Sequence, residues 1–320
     1  MKDQTTAENS DSLLRIMVLN AQDLFLFADK YDGTPVAEMN EIKWGLMSSS
    51  LFNNKSKDKC FSLAQTIMKS NADIIMMTEI GGKESLENFS RFTLEDKYQA
   101  HSLPSNSDRG IDLGYLTRKT LPFEFEIHSY KNYPLPHPAR RFSRDVLRLD
   151  VKKNGSLKMI LLLVHIKSKL DMRKEDYEGR TRRKIEVEGL VKIYQELNET
   201  NDVPILVGGD FNGLAHELAT EEEFKPIYEK TNLKDIAALC TIPIEERFSY
   251  IYFDRYGNRF VQQLDYLFID QKYESLIYKS ECLFPRFFTG TGSALPIPTR
   301  YEQKNTLPSD HYPFLATLSI

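Results

Sequence analysis

The chain has 320 residues, 41% of them hydrophobic and 28% charged, with a formal net charge of −4. That length is ample for a sizeable core, in one large domain or two small ones. The weak acidity excludes a global positive field that would gather nucleic acid, so any such attraction must be local.

Residues 1–12 are polar and read as a disordered N-terminus, followed by a single domain over 13–320. Leu13 to Leu19 (LLRIMVL) form the first predicted strand, which ends on Asn20, with Gln22 and Asp23 beyond it. Residues 28–58 are polar and carry the turn signals Asp32-Gly33 and Thr34-Pro35, with Trp44 as an anchor. They read as a long loop with one helical turn, and loops of that length usually serve a function. Phe61, Ala64, Ile67 and Met68 have helical spacing, which Ser70-Asn71 end. A second strand, IIMMT, ends on Glu79. Gly81-Gly82 and a short helix through Leu86 and Phe89 follow. RGIDLGYLTR (109–118) is a third strand. Residues 121–151 turn from proline-rich to basic and close in the strand DVLRLDV (145–151).

Asn154-Gly155 joins that strand to MILLLVHI (159–166), a strong hairpin signal. The second arm carries His165 near its end, with Lys167 two residues on. A long amphipathic helix is expected over 171–199. Pro204–Gly213 (PILVGGDFNG) is a short buried strand broken by two glycines. Asp210 and Asn212 lie two apart, so they face one side while Phe211 anchors behind them. An Asp/Asn turn is the plainer reading, but it weakens because other strands also end on polar groups. Residues 214–239 read as acidic and helical. Phe248–Phe253 and Val261–Ile269 read as a second hairpin, with Asp265 on its return strand. A Gly, Pro and Thr-rich loop (289–308) precedes Ser309-Asp310-His311 and a last strand, YPFLATLSI.

Strand ends thus collect Asn20, Glu79, Asp112, His165, Asp210, Asn212, Asp265, Asp310 and His311. Ligands bind at such mouths. Carboxylates with amide oxygens select hard cations such as Mg²⁺ or Mn²⁺ over zinc. The two histidines and spare acids suit the proton transfers of phosphate-ester hydrolysis. Cys60, Cys240 and Cys282 are widely spaced without a CxxC, which argues against a disulfide framework and fits a reducing compartment. No stretch approaches the ~20 apolar residues of a membrane span, and the N-terminus lacks the apolar region of a signal peptide. A cytoplasmic location is expected, with export after signal-peptide removal as the alternative.

The stretches VLNAQDLF, DIIMMTEI, DRGIDLGYLTR, FSRDVLRLD, LLLVHIKSK, ILVGGDFN, QLDYLFI and SDHYPF cover most of 13–320 in order. Together they resemble the endonuclease/exonuclease/phosphatase, or deoxyribonuclease I-like, superfamily, and are most similar to its bacterial nuclease-like members. The resemblance implies an α/β fold, a four-layered sandwich of two packed mixed or antiparallel β-sheets flanked by helices. It implies that Glu79 and Asp310 hold a divalent ion, Mg²⁺ or Mn²⁺ with Ca²⁺ a further option, and that Asn20 orients the metal shell or the phosphate. His311, oriented by Asp265, would activate water or pair with the phosphate. His165, oriented by Asp112, would face the leaving group. Asp210 and Asn212 would bind the phosphate in flight, the nucleophile or a second metal. Gln22 stands where several members carry an acid, so a ligand from that position is in doubt.

A basic stretch from Arg140 to Lys184 is mostly a solvated face. Within it, Arg144 in the FSRD turn and Lys167 beside His165 are the better candidates for phosphate contacts. Tyr115 or Phe288 could stack on a base. The implied activity is a metal-dependent phosphodiesterase acting on nucleic acid as a monomer. The alternative is a phosphatase or a phosphodiesterase of small molecules or phospholipids.

Overall fold

The structure, a computed structural model, describes residues 13–169 and 176–320. The disorder expected of 1–12 and the first residues of the helix expected from 171 lie outside that range. The strands are β1 (Leu13–Leu24), β2 (Ile74–Ile80), β3 (Tyr98–Ser102), β4 (Asp112–Arg118), β5 (Glu124–Ser129), β6 (Val146–Lys153) and β7 (Ser156–His165). They continue with β8 (Ile205–Asp210), β9 (Leu233–Asp235), β10 (Tyr250–Phe253), β11 (Arg259–Gln262), β12 (Asp265–Asp270) and β13 (Phe314–Ser319).

They build a five-stranded sheet in the order β13-β1-β2-β4-β3 and a six-stranded sheet in the order β5-β6-β7-β8-β12-β9. Alternation decides which face goes where. Leu147, Leu149 and Val151 of β6 point between the sheets, where they meet Ile16 and Val18 of β1 and Met76 of β2. The helix Arg180–Thr200 packs Val187, Leu190, Val191 and Tyr194 on the outer face of the six-stranded sheet, against Leu162 and Val207. Helices Lys57–Lys69 and Gly82–Thr93 place Leu63, Ile67 and Phe89 on the outer face of the five-stranded sheet. This is the expected four-layered α/β sandwich. Burying an apolar face on each side of both sheets is what makes these strands read as nearly unbroken hydrophobic runs.

The Asn154-Gly155 turn has φ of 53° and 73° at its two central residues, the left-handed pair of a type I′ hairpin. Trp44 is buried, as expected of an anchor, and donates from Nε1 to the carbonyl of Lys55 at 2.8 Å. All three cysteines are free and buried.

Three expectations are corrected. The predicted second hairpin divides: β10 and β11 pair as a separate two-stranded ribbon, while Asp265 starts β12 in the six-stranded sheet beside β8. The chain changes sheet at Gln263-Leu264, where Ser249 Oγ accepts from the N–H groups of Leu264 and Asp265, both at 2.9 Å. The 214–239 stretch is not continuous helix but short turns, the helix Lys225–Lys230, the edge strand β9 and the helix Ile236–Leu239. Tyr115 is fully buried between the sheets, its hydroxyl donating to the carbonyls of Leu147 and Leu161, so it cannot stack on a base.

Candidate active site

Register brings three expected groups into one row. His165 of β7 pairs with Asp210 of β8, and Asp210 pairs with Asp265 of β12. The row depends on Gly209, whose φ is 132°. A Cβ there would lie 1.9 Å from the carbonyl oxygen of Val164, so only glycine lets β8 approach β7 this closely. Phe211 follows, fully buried and edge-on to Phe268, which holds the turn down. Asn212 has φ of 52°. Its backbone N–H donates to Asp210 Oδ1 at 2.8 Å and its side-chain amide to the Ile166 carbonyl at 3.1 Å. Asn212 therefore secures the turn and Asp210.

His311 enters from the loop before β13. Its Nδ1 lies 2.7 Å from Asp265 Oδ2, and ligating atoms of Asp210, Asp265 and His311 all lie within 4.8 Å of one another. Burial alone would lower the His311 pKa, but the Asp265 and Asp210 carboxylates and the Asp265 hydrogen bond raise it to about 10. Burial pushes the Asp210 carboxyl up to about 7, with His311 opposing and Asp265 and Glu79 adding to the rise. His165 Nε2 stands 3.6 Å from Asp210 Oδ2 and 3.8 Å from Glu79 Oε1. Burial, then the charges of Arg144, His311 and Arg109, hold His165 neutral, well below the usual imidazole range. Both histidines thus flank Asp210.

The five-stranded sheet supplies the acid side. Glu79 has a left-handed φ of 57°, as do Gln22 (47°) and Asp23 (55°) where β1 bulges between Asn20 and Leu24. Non-glycine residues in that region carry strain, and here they gather at one mouth and re-aim carboxylates into it. Burial raises the Glu79 pKa, and Asp23 and Asp310 add to the rise while His311 opposes it. The charges of Asp23 and Asp310 thus oppose that of Glu79.

Oxygen donors brought together against their own repulsion, with Asp265 Oδ1 buried and unpartnered, fit a hard divalent cation. Glu79 and Asp310, both expected as ligands, stand on the acid side of the mouth, where the charge of Asp310 acts on Glu79. Asn20 is corrected. Its Oδ1 accepts from Gln22 N–H at 2.9 Å, which turns its amide N–H toward Asp210 Oδ2 at 3.0 Å, so it orients Asp210. Asp112 is corrected too. It accepts from Ser105 N–H at 3.0 Å, while His165 Nδ1 has no hydrogen-bond partner among the described residues.

Arg144 is brought in. Arg144 is buried, its Nε is unpartnered, and Glu79 and Asp210 both act on its charge. Buried Glu186 fixes the two stretches around it, accepting from the N–H groups of Ser143 at 2.8 Å and Lys167 at 2.9 Å. Lys167 Nζ donates to the Ser168 carbonyl at 3.1 Å. The basic stretch is largely neutralised: Arg148 forks onto Asp150, and Lys169, Arg182 and Arg183 pair with Glu221, Glu186 and Glu223.

Several site groups escape sequence reasoning. Asp23, beside Gln22, is exposed and lies 3.4 Å from Arg109 Nη2. Gln22 accepts from the Asp310 N–H at 3.1 Å through Oε1, and from Lys55 Nζ at 2.7 Å through its carbonyl. Lys304 Nζ lies 3.5 Å from Asp310 Oδ2 and 4.5 Å from the Tyr250 ring, which lies 4.9 Å from His311. Gln22 and Asp23 sit at the bulged end of β1 and Tyr250 at the start of β10, and Lys55 and Lys304 come from the long stretches before the helix Lys57–Lys69 and before β13, so position was their only signal.

No protein-family model matches the sequence, and no curated protein matches it. Solved structures do. Truncated TDP2 of Caenorhabditis elegans matches at a TM-score of 0.58 and 16% identity over 96% of this chain and 98% of that one. The human Nocturnin catalytic domain with bound sulfate anion matches at 0.56 and 16%, over 97% and 96%. An endonuclease/exonuclease/phosphatase of Bacteroides vulgatus matches at 0.56 and 15%, over 97% and 100%. The fold of this chain is that of the endonuclease/exonuclease/phosphatase proteins, as the sequence motifs suggested.

Proposed function

We propose that the chain is a divalent-metal-dependent phosphodiesterase that hydrolyses nucleic acid. The observation that carries this reading is the convergence of His165, Asp210, Asp265 and His311 beside the acid cluster of Glu79, Asp23 and Asp310. Glu79 and Asp310 would hold Mg²⁺ or Mn²⁺. Bound there, the ion supplies charge stabilisation to a phosphoryl oxygen.

The protein groups divide the remaining work. Asp265 accepts the Nδ1–H of His311, which fixes the ring's orientation and points Nε2 at the substrate. Held protonated by its carboxylate neighbours, His311 pairs with a phosphate oxygen. Asp210 sits centrally with a carboxyl near neutrality, the poise wanted of a base that takes a proton from the attacking water. Asn20 and Asn212 fix its two oxygens. Neutral His165 donates from Nε2 on the opposite side, and buried Arg144 adds a fixed positive charge.

The test is degradation of plasmid DNA and of RNA under Mg²⁺, Mn²⁺ and Ca²⁺, with and without EDTA. Metal-dependent loss of substrate is expected. Folded protein that cuts neither at any ion refutes the reading. One observation favours a second reading, a phospholipid phosphodiesterase. Ile42, Leu46 and Leu51 are 75%, 68% and 100% exposed on the loop whose Lys55 holds Gln22 at the mouth, and such side chains suit a lipid surface. Headgroup release from vesicles, with nucleic acid untouched, would favour it.

A further inference from the structure

A cavity of about 320 Å³ lies between the start of the helix Lys57–Lys69 and the loop before β13. Asp58, Lys59, Ser62, Thr289, Thr291 and Thr306 line it. It adjoins the acid side of the candidate active site: Lys55, just before this helix, donates to the Gln22 carbonyl, Gln22 Oε1 accepts from the Asp310 N–H, and Thr306 lies on the loop that carries Asp310. None of its residues takes part in the proposed chemistry.

The lining is selective. Lys59 is half-buried, and its ammonium makes no hydrogen bond or ion pair among the described residues. An ammonium partly out of water without a partner is unfavourable, and an anion relieves it. Around it stand hydroxyls whose donor bonds are mostly directed, one of the Thr289–Thr291 pair alone keeping a free donor. Thr289 and Thr291 bond one another at 3.0 Å, and Thr306 donates to the Gln303 carbonyl at 2.8 Å. Hydroxyls so engaged retain acceptor lone pairs, and the exposed carboxylate of Asp58 adds more. One cation among many acceptors matches a ligand with one anionic group and several hydroxyl donors. The volume is at the lower end for small-ligand sites.

We propose that this cavity is a second subsite, independent of the metal, for a phosphorylated sugar unit of the substrate next to the scissile phosphate. Lys59 pairs with its phosphate, and Asp58 with the threonine hydroxyls receives its sugar hydroxyls. The inference rests on the phosphodiesterase reading for its role but not for its detection.

Ribose 5-phosphate is titrated calorimetrically into the full chain in EDTA, which leaves the acid cluster without a divalent ion. Binding is expected for the wild type, weakened about tenfold or more in Lys59→Gln and retained in Lys59→Arg. No binding to the wild type, or equal binding by Lys59→Gln, overturns the proposal. On a ribo-oligonucleotide, Lys59→Gln is expected to raise KM about tenfold at constant kcat. On bis(p-nitrophenyl) phosphate, which offers a single phosphate, its KM is expected to be unchanged. An unchanged KM on the oligonucleotide also overturns the subsite. Failure of the wild type to cut either substrate defeats the phosphodiesterase reading alone, and the titration in EDTA still decides the subsite.

Discussion

Asp265 and His311 form a dyad across a sheet boundary: Nδ1 of the histidine, carried by the loop before β13, lies 2.7 Å from the carboxylate at the start of β12. Asp265 has no exposure and His311 only 6%. The pair is thus desolvated and oriented before substrate arrives. Asp265→Asn preserves shape but offers the imidazole an amide in place of a carboxylate. We expect kcat to fall by about 10²–10⁴, the range for disrupted acid–base orientation. His311→Ala should abolish turnover and leave metal affinity nearly intact. Steady-state kinetics with a metal titration on each variant checks this. Full kcat in either variant removes that residue from the mechanism.

Glu79 answers to a different readout. Its strained backbone and the nearby acids Asp23 and Asp310 make it a place where charge is held ready for a cation. Glu79→Ala should weaken Mg²⁺ or Mn²⁺ binding by at least about tenfold, since losing even an outer-shell partner costs that much. Titrating activity against metal concentration measures it. An unshifted metal midpoint would place the ion elsewhere.

Away from the site, His101 predicts a pH dependence of stability. Burial, then the Lys83 charge, lowers its pKa to about 4, and its Nε2 lies 2.9 Å from Thr117 Oγ1. Between about pH 6.5 and 4 the unfolded chain binds a proton here that the folded chain does not. Stability therefore falls as pH drops through that window, by at most about 3 kcal/mol. Urea melts at pH 7 and 4.5 should show a smaller difference in His101→Gln than in the wild type. Equal differences would show that the ring titrates freely in the fold.

Arg183 reads as part of a basic run, yet it has no exposure. Its Nε donates to Glu223 at 2.9 Å, and Nη1 to the carbonyls of Glu178 at 3.0 Å and Lys167 at 3.2 Å. Arg183→Met leaves buried Glu223 unpaired and should cost about 3–5 kcal/mol. Adding Glu223→Leu should recover part of that loss, because the unpaired charge is then gone. Chemical denaturation of the two variants checks both halves.

The legible part of the site followed from strands that bury both faces. Apolar runs such as those of β2, β7 and β8 mark their own ends, and Glu79, His165 and Asp210 stood at those ends. β3 (YQAHS) and β5 (EFEIHS) went unread because half or more of each is polar: β5 exposes Glu124 and Glu126 as a wet edge, whereas in β3 His101 and Ser102 are buried against Thr117 and the Leu113 carbonyl. Asp23 was passed over because a bulge, invisible to period-two reasoning, turns it into the mouth. The ion pairs that neutralise much of the basic stretch were not legible, because its acid partners, Glu221 and Glu223 among them, arrive from distant sequence. The role of Asp112 failed for a local reason: a loop N–H seven residues back already occupies its carboxylate.

The hydrogen atom that stands for a side chain at Gly209 sets a limit on how this protein can diverge. With a Cβ excluded by the Val164 carbonyl, the gap between His165 and Asp210 is fixed by main chain resting on main chain, and no rotamer can relax it. Swapping an acid or a histidine alters the chemistry at constant spacing, whereas widening the spacing means unpairing two central strands. New specificities are therefore open to the loops around the mouth and closed to its floor.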